Sequence, residues 1–324
     1  MHRRTLLALP LLAAPALAQE SFPSRPITLL TGFPNGSGLD IFARRMQEPL
    51  QRILGQPLVI DNRSGAGGNI ASDFVAKARP DGYTLLFGTA GTHAINQSLY
   101  RTLPFHVVRD FTPIAHMGDV PNVLTTSAER RPNLRGCPDV LAAARARPQA
   151  VSYGSTGNGA STHLAGAQFG AAANLDMLHV PFRGQPFTQT ALLAGDIDLF
   201  FNQVGPALGA IRGGQTRAIG VTTAARLPVL PDVPTIAEAC NMPGFVSTTW
   251  YGLFGPAGMP AALVNRINGA IQQVIRAPDF VDWLVTTQAI APPPVATPAE
   301  FAAIQLRDIE SWGALVRRIG VTVD

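Results

Sequence analysis

Short apolar runs alternate with longer segments of helical periodicity along most of the chain. The runs ITLLT at 27–31, LVI at 58–60 and YTLLF at 83–87 are typical of buried strands, and a segment with helical spacing follows each of the first two. Strand and helix in strict succession indicate βαβ units, in which helices cover a mostly parallel sheet. The sequence therefore predicts an α/β fold.

The same alternation restarts in the second half of the chain and predicts a second α/β domain. Further strands are predicted at 151–153, 177–182, 198–201, 217–222 and 250–254, and helices at 138–144, 161–173, 188–194, from 260 and at 298–319. The late helices are available to cover the first domain, and 324 residues suffice for two domains. We expect a discontinuous domain I, 24–122 and 253–324, and a domain II, 123–252, with two crossings that form a hinge.

Composition argues against several classes of function. Charged residues are 14% and hydrophobic residues 46%, which is typical of a globular chain. The net charge is +4, but Lys and Arg are scattered, whereas a nucleic-acid surface needs them clustered. Two cysteines and six histidines show no metal-ligand spacing, and CxxC and HExxH motifs are absent. We predict no metal, no cofactor and no nucleic-acid partner.

The N-terminus has the three parts of an export signal. MHRR is positively charged, TLLALPLLAAPA is apolar, and Ala16-Leu17-Ala18 is a small-x-small cleavage signature before Gln19. The apolar run is too short and too interrupted to span a membrane. We expect a signal peptide over 1–18, cleavage after Ala18 and a soluble periplasmic chain. The pair Arg3-Arg4 leaves the choice between general and twin-arginine export open.

The two cysteines, Cys137 and Cys240, leave a second question open. Export makes a disulfide permissible, but a large domain does not require one. The sequence does not show whether these residues are neighbours in the fold.

Loops rich in glycine, hydroxyl and amide groups join predicted strands to predicted helices. They read FPNGSGLD (33–40), DNRSGAGGN (61–69), GTAGTHAIN (88–96), GSTGNGAST (154–162), FRGQPFTQ (182–189) and FNQVGPA (201–207). Helix capping and turns explain any single loop better than ligand binding does. In open α/β sheets, however, such loops share one edge, where ligands bind. Free backbone N–H groups, close backbone approach at glycine and helix dipoles there favour a carboxylate site without Arg or Lys.

Catalytic patterns are weak. RSGAGGNI departs from a dinucleotide fingerprint because Ile70 replaces its last glycine, and neither a phosphate loop nor a G-x-S-x-G elbow is present. Ser161, Thr162 and His163 are consecutive, so they cannot form a nucleophile–base pair among themselves. His93 and His163 each precede or begin a helix, where capping or packing is favoured over ligand contact.

Four other residues can each be interpreted in two ways. Arg183 is either a carboxylate clamp or a solvated loop residue. Asp40 opens a helix, so its carboxylate is expected to cap backbone N–H groups rather than meet an anion. The pair Trp250-Tyr251 is either hinge packing or a cleft wall, with packing favoured.

Several long segments, in this order, resemble the substrate-binding component of tripartite tricarboxylate transporters, the Bug-type receptors. They include SRPITLLTGFPNGSGLD, LGQPLVIDNRSGAGGNIASDFVAKARPDGYTLLFGT, YGSTGNGASTHLAG, LLAGDIDLFFN and WYGLFGPAGMP. The resemblance implies a two-lobed periplasmic binding protein of type II-like architecture, with mostly parallel sheets and a two-strand hinge. Such a protein closes on a small organic carboxylate and delivers it to membrane transporter subunits. We expect a monomer that does not itself span the membrane.

The resemblance also implies which residues bind the ligand. In that family, main-chain groups and small polar side chains of a first-domain and a second-domain loop hold the carboxylate, partly through ordered waters. The predicted ligand-binding set is Phe33, Pro34, Gly36, Ser37, Gly38, Thr89, Gly91, Thr92, Ser155, Thr156, Gly157, Asn158, Ser161, Phe182, Arg183 and Asn202.

This sequence departs from the family pattern in two loops. Ser37 replaces a glycine of the first loop, and Leu39 replaces a polar residue. The pair Asn202-Gln203 stands where the family often has Asp-Asn, so Asn202 offers a neutral amide where the family often carries a negative charge. The distal part of the ligand is therefore expected to differ.

Two other functions stay open beside the receptor. An exported sensory receptor would bind the same ligand and dock to a signalling protein. An exported enzyme acting on a carboxylate would use His93 or His163 as its base, but the chain offers no paired nucleophile or metal set. We predict a receptor without catalytic residues.

Overall fold

The computed structural model describes residues 22–293 and 297–323, so the predicted signal peptide and its cleavage site lie outside the described residues. The strands are β1 (Ile27–Thr31), β2 (Leu58–Asn62), β3 (Thr84–Thr89), β4 (Phe111–Ser127), β5 (Ser152–Ser155), β6 (Leu178–Pro181), β7 (Leu199–Gln203), β8 (Thr216–Val221) and β9 (Thr248–Pro256). The helices are α1 (Gly38–Leu54), α2 (Asn69–Ala76), α3 (Asn96–Leu99), α4 (Cys137–Arg145), α5 (Ser161–Ala173), α6 (Gln185–Ala194), α7 (Val204–Arg212), α8 (Ile236–Ala239), α9 (Ala261–Ile275), α10 (Pro278–Trp283) and α11 (Pro298–Ile319). Within these ranges, no helix combines the length and apolar character needed to cross a membrane.

The strands pair in the order β2-β1-β3-β9-β4-β7-β5-β6, and β8 pairs with β4. The strands β1, β2 and β3 are mutually parallel, as are β5, β6 and β7. Between these groups, β9 is antiparallel to β3 and β4, and β4 is antiparallel to β7 and β8. Each half of the molecule thus contains the predicted βαβ units.

The strand β4 belongs to both halves of the molecule. Its residues from Phe111 to Pro121 pair with β9, whereas those from Asn122 to Ser127 pair with β7 or β8. The chain passes back from the second half of the molecule to the first just before β9 begins. At that point the N–H of Ser247 donates to the carbonyl of Thr222. We define lobe I as the described residues 22–121, 248–293 and 297–323, and lobe II as 122–247. The strand β9 thus joins lobe I ahead of the predicted return at residue 253.

Aromatic side chains fill the core of lobe I on one face of its sheet. Phe42 of α1 makes edge-to-face contacts with Phe87, Tyr251 and Phe280. These rings are buried, and helices α1 and α9 cover them. Edge-to-face ring pairs are directional, so this cluster helps to set how α1 packs against β3 and β9.

A disulfide lies in the core of lobe II. Cys137 begins α4, Cys240 follows α8, and the two are bonded with their Cα atoms 5.3 Å apart. Both are buried beside Phe169 and Phe201. The bond settles the question that the sequence left open.

Candidate functional site

A cavity separates the two lobes at the carboxyl ends of their parallel strands. Its lobe I wall is formed by Phe33, Ser37, Leu39, Thr89, Gly91, Thr249 and Tyr251, and its lobe II wall by Thr156, Ala160, Ser161, Gly184, Gln185 and Gln203. The cavity leaves about 30 Å³ for the centres of water molecules, which exceeds the room that one water needs. The lobes therefore lie close together around a small enclosed space.

Four helices begin at this cavity. One is α1 of lobe I, and the others are α5, α6 and α7 of lobe II. Ser37 caps α1 by accepting from the N–H of Asp40, whereas the three lobe II helices have no side-chain cap. Uncapped first turns leave backbone N–H groups for other acceptors, and the helix dipoles add partial positive charge. The convergence favours an anion in the cavity.

Charged side chains play no part in lining the cavity. Within residues 22–293 and 297–323, the cavity wall contains Ser, Thr, Gln and Tyr as its polar side chains, with no Asp, Glu, Lys, Arg or His. In the same part of the chain, no cluster of His, Cys, Asp and Glu could hold a metal ion. The site can therefore recognise an acid by neutral donors and peptide dipoles.

One hydrogen bond crosses the cavity. The hydroxyl of Tyr251 in lobe I donates to the side-chain oxygen of Gln203 in lobe II over 2.9 Å. Both residues line the cavity. A Cβ on Gly38 would collide with both of these side-chain oxygens, so the absence of a side chain at position 38 leaves room for the contact.

Glycines also let the lobes approach each other. A Cβ on Gly91 of lobe I would lie 2.9 Å from the carbonyl oxygen of Gly159 in lobe II. A Cβ on Gly184 of lobe II would lie 2.5 Å from Cγ of Pro34 in lobe I. The glycine-rich loops therefore serve close contact between the lobes as well as access to the backbone.

A wider groove adjoins the cavity. Phe33 and Thr156 line both spaces. The groove has a volume of about 540 Å³, and its walls include the glycine-rich turn 64–68 and Arg183. A ligand longer than the cavity could extend into it.

The structure divides the predicted ligand-binding set into three groups. Six line the cavity: Phe33, Ser37, Thr89, Gly91, Thr156 and Ser161. Five line the groove without lining the cavity: Pro34, Gly157, Asn158, Phe182 and Arg183. The other five, Gly36, Gly38, Thr92, Ser155 and Asn202, line neither space in the described residues.

Residues of the third group brace the loops that form the walls. The hydroxyl of Ser155 donates to the carbonyl of Gly157 and accepts from its N–H, each over 3.2 Å. The hydroxyl of Thr92 donates to the carbonyl of Thr89 and accepts from its N–H, each over 3.0 Å. Such bonds hold the turns in the shape that the cavity requires.

Asn202 lies beside the cavity wall rather than in it. Its side chain is fully buried, and its amide donates to the side-chain oxygen of Gln189 over 3.0 Å. Successive residues of a strand face opposite sides, so Gln203 reaches the cavity where Asn202 does not. Gln203 therefore supplies the neutral amide that the sequence led us to expect from Asn202.

Asp40 supports the first loop, as its position at a helix start predicts. Burial opposes ionisation of this carboxyl, but hydrogen bonds from Arg44, Gly36 and Asn62 outweigh burial, so the pKa of Asp40 is lowered. The ionised carboxylate fixes the loop that precedes α1. Its side chain is 3% exposed.

The two candidate catalytic bases lie outside the cavity wall. Burial lowers the pKa of His93 to about 3, and its ring stacks on Phe254 with centroids 3.9 Å apart. Burial and the neighbouring His179 lower the pKa of His163 to about 3. The ring nitrogen Nδ1 of His163 accepts from the N–H of Gly159 over 3.2 Å. Packing and loop support therefore account for both histidines.

Seven residues of the cavity wall, within the described chain, are not in the predicted ligand-binding set, although Tyr251 was considered as a cleft wall. They are Leu39, Ala160, Gly184, Gln185, Gln203, Thr249 and Tyr251. Leu39, Ala160 and Gln203 are each adjacent in sequence to a residue of the predicted ligand-binding set. This adjacency is a signal by which they could have been identified. For Tyr251 the pairing of β3 with β9 is decisive, because it sets Tyr251 opposite Thr89.

The comparison with known families decides the identity. A family model described as tripartite tricarboxylate transporter family receptor matches residues 42–321. The chain belongs to this family. Relatives include a UPF0065 protein in the tcbD-tcbE intergenic region of Pseudomonas sp. strain P51, 41% identical over 87% of this chain and 84% of that relative. Protein BugT of Bordetella pertussis is 32% identical over 95% of this chain and 93% of its own.

Solved structures at about 30% sequence identity share the fold over most of this chain. An R. palustris protein solved with adipate has a TM-score of 0.88 at 31% identity, covering 93% of this chain and 99% of its own. MatC from Rhodopseudomonas palustris with bound malate has a TM-score of 0.85 at 30% identity, covering 91% of this chain and 100% of its own. The predicted two-lobed periplasmic binding protein fold is confirmed. The family and these neighbours are solute receptors and not enzymes.

Proposed function

We propose that the protein is an extracytoplasmic receptor that binds a small organic carboxylate and delivers it to a tripartite tricarboxylate-type transporter. The observation that carries the proposal is the convergence of helix starts from both lobes on a cavity lined by neutral polar groups. The adipate and malate in neighbouring structures support the ligand class. Closure would complete the set of donors, so affinity would depend on the approach of the lobes as well as on direct contacts.

Calorimetry on the purified mature chain tests ligand binding, with adipate and malate as probes. Replacing Ser161 by Ala removes a hydroxyl from the cavity wall. We expect this variant to bind about threefold to tenfold more weakly, which is the usual worth of one hydrogen bond. Ser311→Ala is the matched control, because Ser311 is an exposed serine on α11. Absence of binding by both acids, with no carboxylate co-purified in native mass spectrometry, would overturn the ligand class.

Delivery to a transporter needs a cellular test. We expect deletion of the gene to abolish uptake of the isotope-labelled ligand, and reintroduction of the wild-type gene to restore it. The sensory alternative predicts intact uptake with a lost transcriptional response to the ligand. That second pattern would contradict delivery.

The proposed location is the periplasm, with the signal peptide removed after Ala18. The disulfide between Cys137 and Cys240 fits an oxidising compartment. N-terminal sequencing of the protein from a periplasmic extract should begin at Gln19. Recovery of the chain with Met1 in the cytoplasmic fraction would contradict this location.

A further inference from the structure

Two histidine rings lie stacked beside the loop 155–159 of lobe II. The rings of His163 on α5 and His179 on β6 have centroids 4.0 Å apart and planes 20° from parallel. Tyr153 lies opposite His179 in the register of β5 and β6, and its ring stacks on His179 with centroids 5.0 Å apart. A Cβ on Gly166 of α5 would collide with the Tyr153 ring, so glycine at this position leaves room for the stack. Burial lowers the pKa of His179 to about 4, so its ring is neutral near neutral pH and stacks without charge repulsion.

Each histidine forms a hydrogen bond to one end of this loop. The ring nitrogen Nε2 of His179 lies 2.7 Å from the hydroxyl oxygen of Ser155, where the loop begins. The ring nitrogen Nδ1 of His163 accepts from the N–H of Gly159, where the loop ends, over 3.2 Å. A neutral imidazole nitrogen either donates to a hydroxyl or accepts from it, so the bond between His179 and Ser155 forms in either tautomer. The two rings thus hold the loop at both of its ends.

The backbone of the loop gives this support a purpose. Gly157 has a φ of 133° and Gly159 a φ of 79°, which are conformations that residues with a side chain rarely adopt. Glycine permits such a turn, but it also permits many other conformations of the same segment. A loop that must be ordered when the ligand arrives reduces affinity, whereas a loop already held in place does not.

The loop and the residues that follow it form much of the lobe II wall. Thr156 lines both the cavity and the groove, Gly157 and Asn158 line the groove, and Ala160 and Ser161 line the cavity. Within the described chain, neither of the two stacked histidines belongs to either wall. Any effect of these rings on ligand binding must therefore pass through the loop.

We infer that His179 is a positioning residue for ligand binding, which holds the loop 155–159 through Ser155 in the conformation that the cavity wall requires. The inference rests on the proposed carboxylate-binding function and goes beyond it, because it assigns a role in affinity to a residue outside the described cavity wall. The hydrogen bond of His179 governs affinity, whereas the stacking of its ring contributes to the stability of lobe II.

Two variants separate the hydrogen bond from the ring. His179→Phe keeps a ring that can stack on Tyr153 but removes the nitrogen that contacts Ser155. His179→Gln keeps an amide that can bond to Ser155 but removes the ring. With adipate and malate as probes in titration calorimetry, we expect His179→Phe to bind about threefold to tenfold more weakly than the wild type, and His179→Gln to bind within about twofold of it.

Urea unfolding of the same variants distinguishes positioning from a purely structural role. We expect His179→Gln to be the less stable of the two variants, although it is the better binder. A purely structural role predicts that affinity falls in parallel with stability, and that result would overturn the inference. His179→Leu takes the place of His179→Phe in each measurement if the larger ring prevents folding.

A matched control and a second substitution complete the binding experiment. His106→Phe is the control, because His106 is exposed on lobe I and is not part of the cavity wall in the described chain. Its affinity should equal that of the wild type. In a Ser155→Ala background, His179→Phe should cost no further affinity, since the atom that His179 contacts is already absent. A further loss of about threefold or more there would overturn the role through Ser155.

Hydrogen exchange of the ligand-free protein tests the inference without any ligand. The N–H of Gly157 donates to the hydroxyl oxygen of Ser155 over 3.2 Å. We expect this N–H to exchange about threefold to tenfold faster in His179→Phe than in His179→Gln. Equal rates in the two variants would overturn the positioning role. If the wild type binds neither acid but the exchange rates differ as expected, the carboxylate-receptor function fails while the support of the loop by His179 stands.

Discussion

The hydroxyl of Tyr251 donates a 2.9 Å hydrogen bond to the side chain of Gln203, and this bond joins lobe I to lobe II at the cavity between them. Tyr251 lies on β9, which pairs with strands of lobe I, and Gln203 ends β7 of lobe II. The bond can exist only while the lobes are together. It therefore couples the approach of the lobes to the orientation of an amide that lines the cavity.

Removing the Tyr251 hydroxyl should weaken ligand binding. In Tyr251→Phe, the Gln203 oxygen loses its partner in the cavity, and we expect affinity for the bound acid to fall about threefold to tenfold. Calorimetry measures the change. Tyr83→Phe is the matched control, because the Tyr83 hydroxyl contacts Ser24 in lobe I and is not part of the cavity wall in the described chain. Equal losses in both variants would argue against a role for the bond between lobes.

A methyl group at Gly91 should hinder closure. Its position, 2.9 Å from the carbonyl oxygen of Gly159, requires the lobes to separate. We expect Gly91→Ala to bind the acid about tenfold more weakly, because the closed state becomes less populated. Small-angle scattering with saturating ligand should show a larger radius of gyration than for the wild type.

The control for this experiment is Gly269→Ala. Gly269 lies within α9, and a Cβ there meets no atom within 4 Å. Alanine in place of a helical glycine should stabilise the protein by about 1 kcal/mol. Affinity and closure should match the wild type. A normal affinity in Gly91→Ala as well would contradict the contact between lobes.

Stability should fall as the pH drops below about 6.5. His93 and His163 are neutral in the folded state because burial lowers the pKa of each to about 3, whereas in the unfolded state their pKa values lie near 6.5. Below pH 6.5 the unfolded state therefore binds more protons, and stability decreases toward the folded-state pKa. The limiting slope is about 1.4 kcal/mol per pH unit for each histidine.

Urea unfolding between pH 7.5 and 5 measures this slope. His93→Phe keeps a ring to stack on Phe254 but removes one titrating group, so its slope should be smaller than that of the wild type. The stability of the variant relative to that of the wild type should therefore increase between pH 7.5 and pH 5. A slope that is unchanged in the variant would show that His93 does not contribute.

Loss of the disulfide should destabilise lobe II without changing the ligand site. The double variant Cys137→Ala/Cys240→Ala opens a link between residues 103 positions apart. We expect a loss of about 2–4 kcal/mol in the free energy of unfolding. Neither cysteine belongs to the cavity wall in the described residues, so affinity at a temperature where the variant is folded should stay within twofold. An unfolding midpoint equal to that of the wild type would contradict the stabilising role.

Local signals specified some elements completely. Helix α11 spans Pro298–Ile319, as predicted from its periodicity. Thr297 and Glu300 form a capping box at its start, and Gly320 ends it in the left-handed conformation. Start, period and stop signals all lie within the segment, so no distant contact is needed to define it.

The strand β4 was not predicted, because the interactions that stabilise it are made with residues distant in the sequence. Pro113, Gly118 and Pro121 interrupt the pattern of a strand. In the structure, register shifts at 113–115 and 116–118 absorb two of these interruptions, and pairing with β9 maintains the strand. A sequence alone does not show which partner strand will compensate for such residues.

The loops of the site were predictable, but their orientation was not. Strand–loop–helix junctions with small polar residues identified Ser37, Thr156 and Ser161 as candidates, and all three line the cavity. The choice between Asn202 and Gln203 depends on which face of β7 meets lobe I. That choice is made by the packing of the two lobes, which leaves no trace in the local pattern.

The described cavity wall contains no side chain that gains or loses a proton near neutral pH, because it has no Asp, Glu or His and burial raises the pKa of Tyr251. Peptide dipoles and amides keep their polarity when the acidity of the surroundings changes. Ligand affinity should then depend on pH only through the ionisation of the ligand. The buried histidines His93 and His163 should instead set the pH below which the fold loses stability. The side chains that line the cavity and the histidines that limit acid stability are therefore different residues.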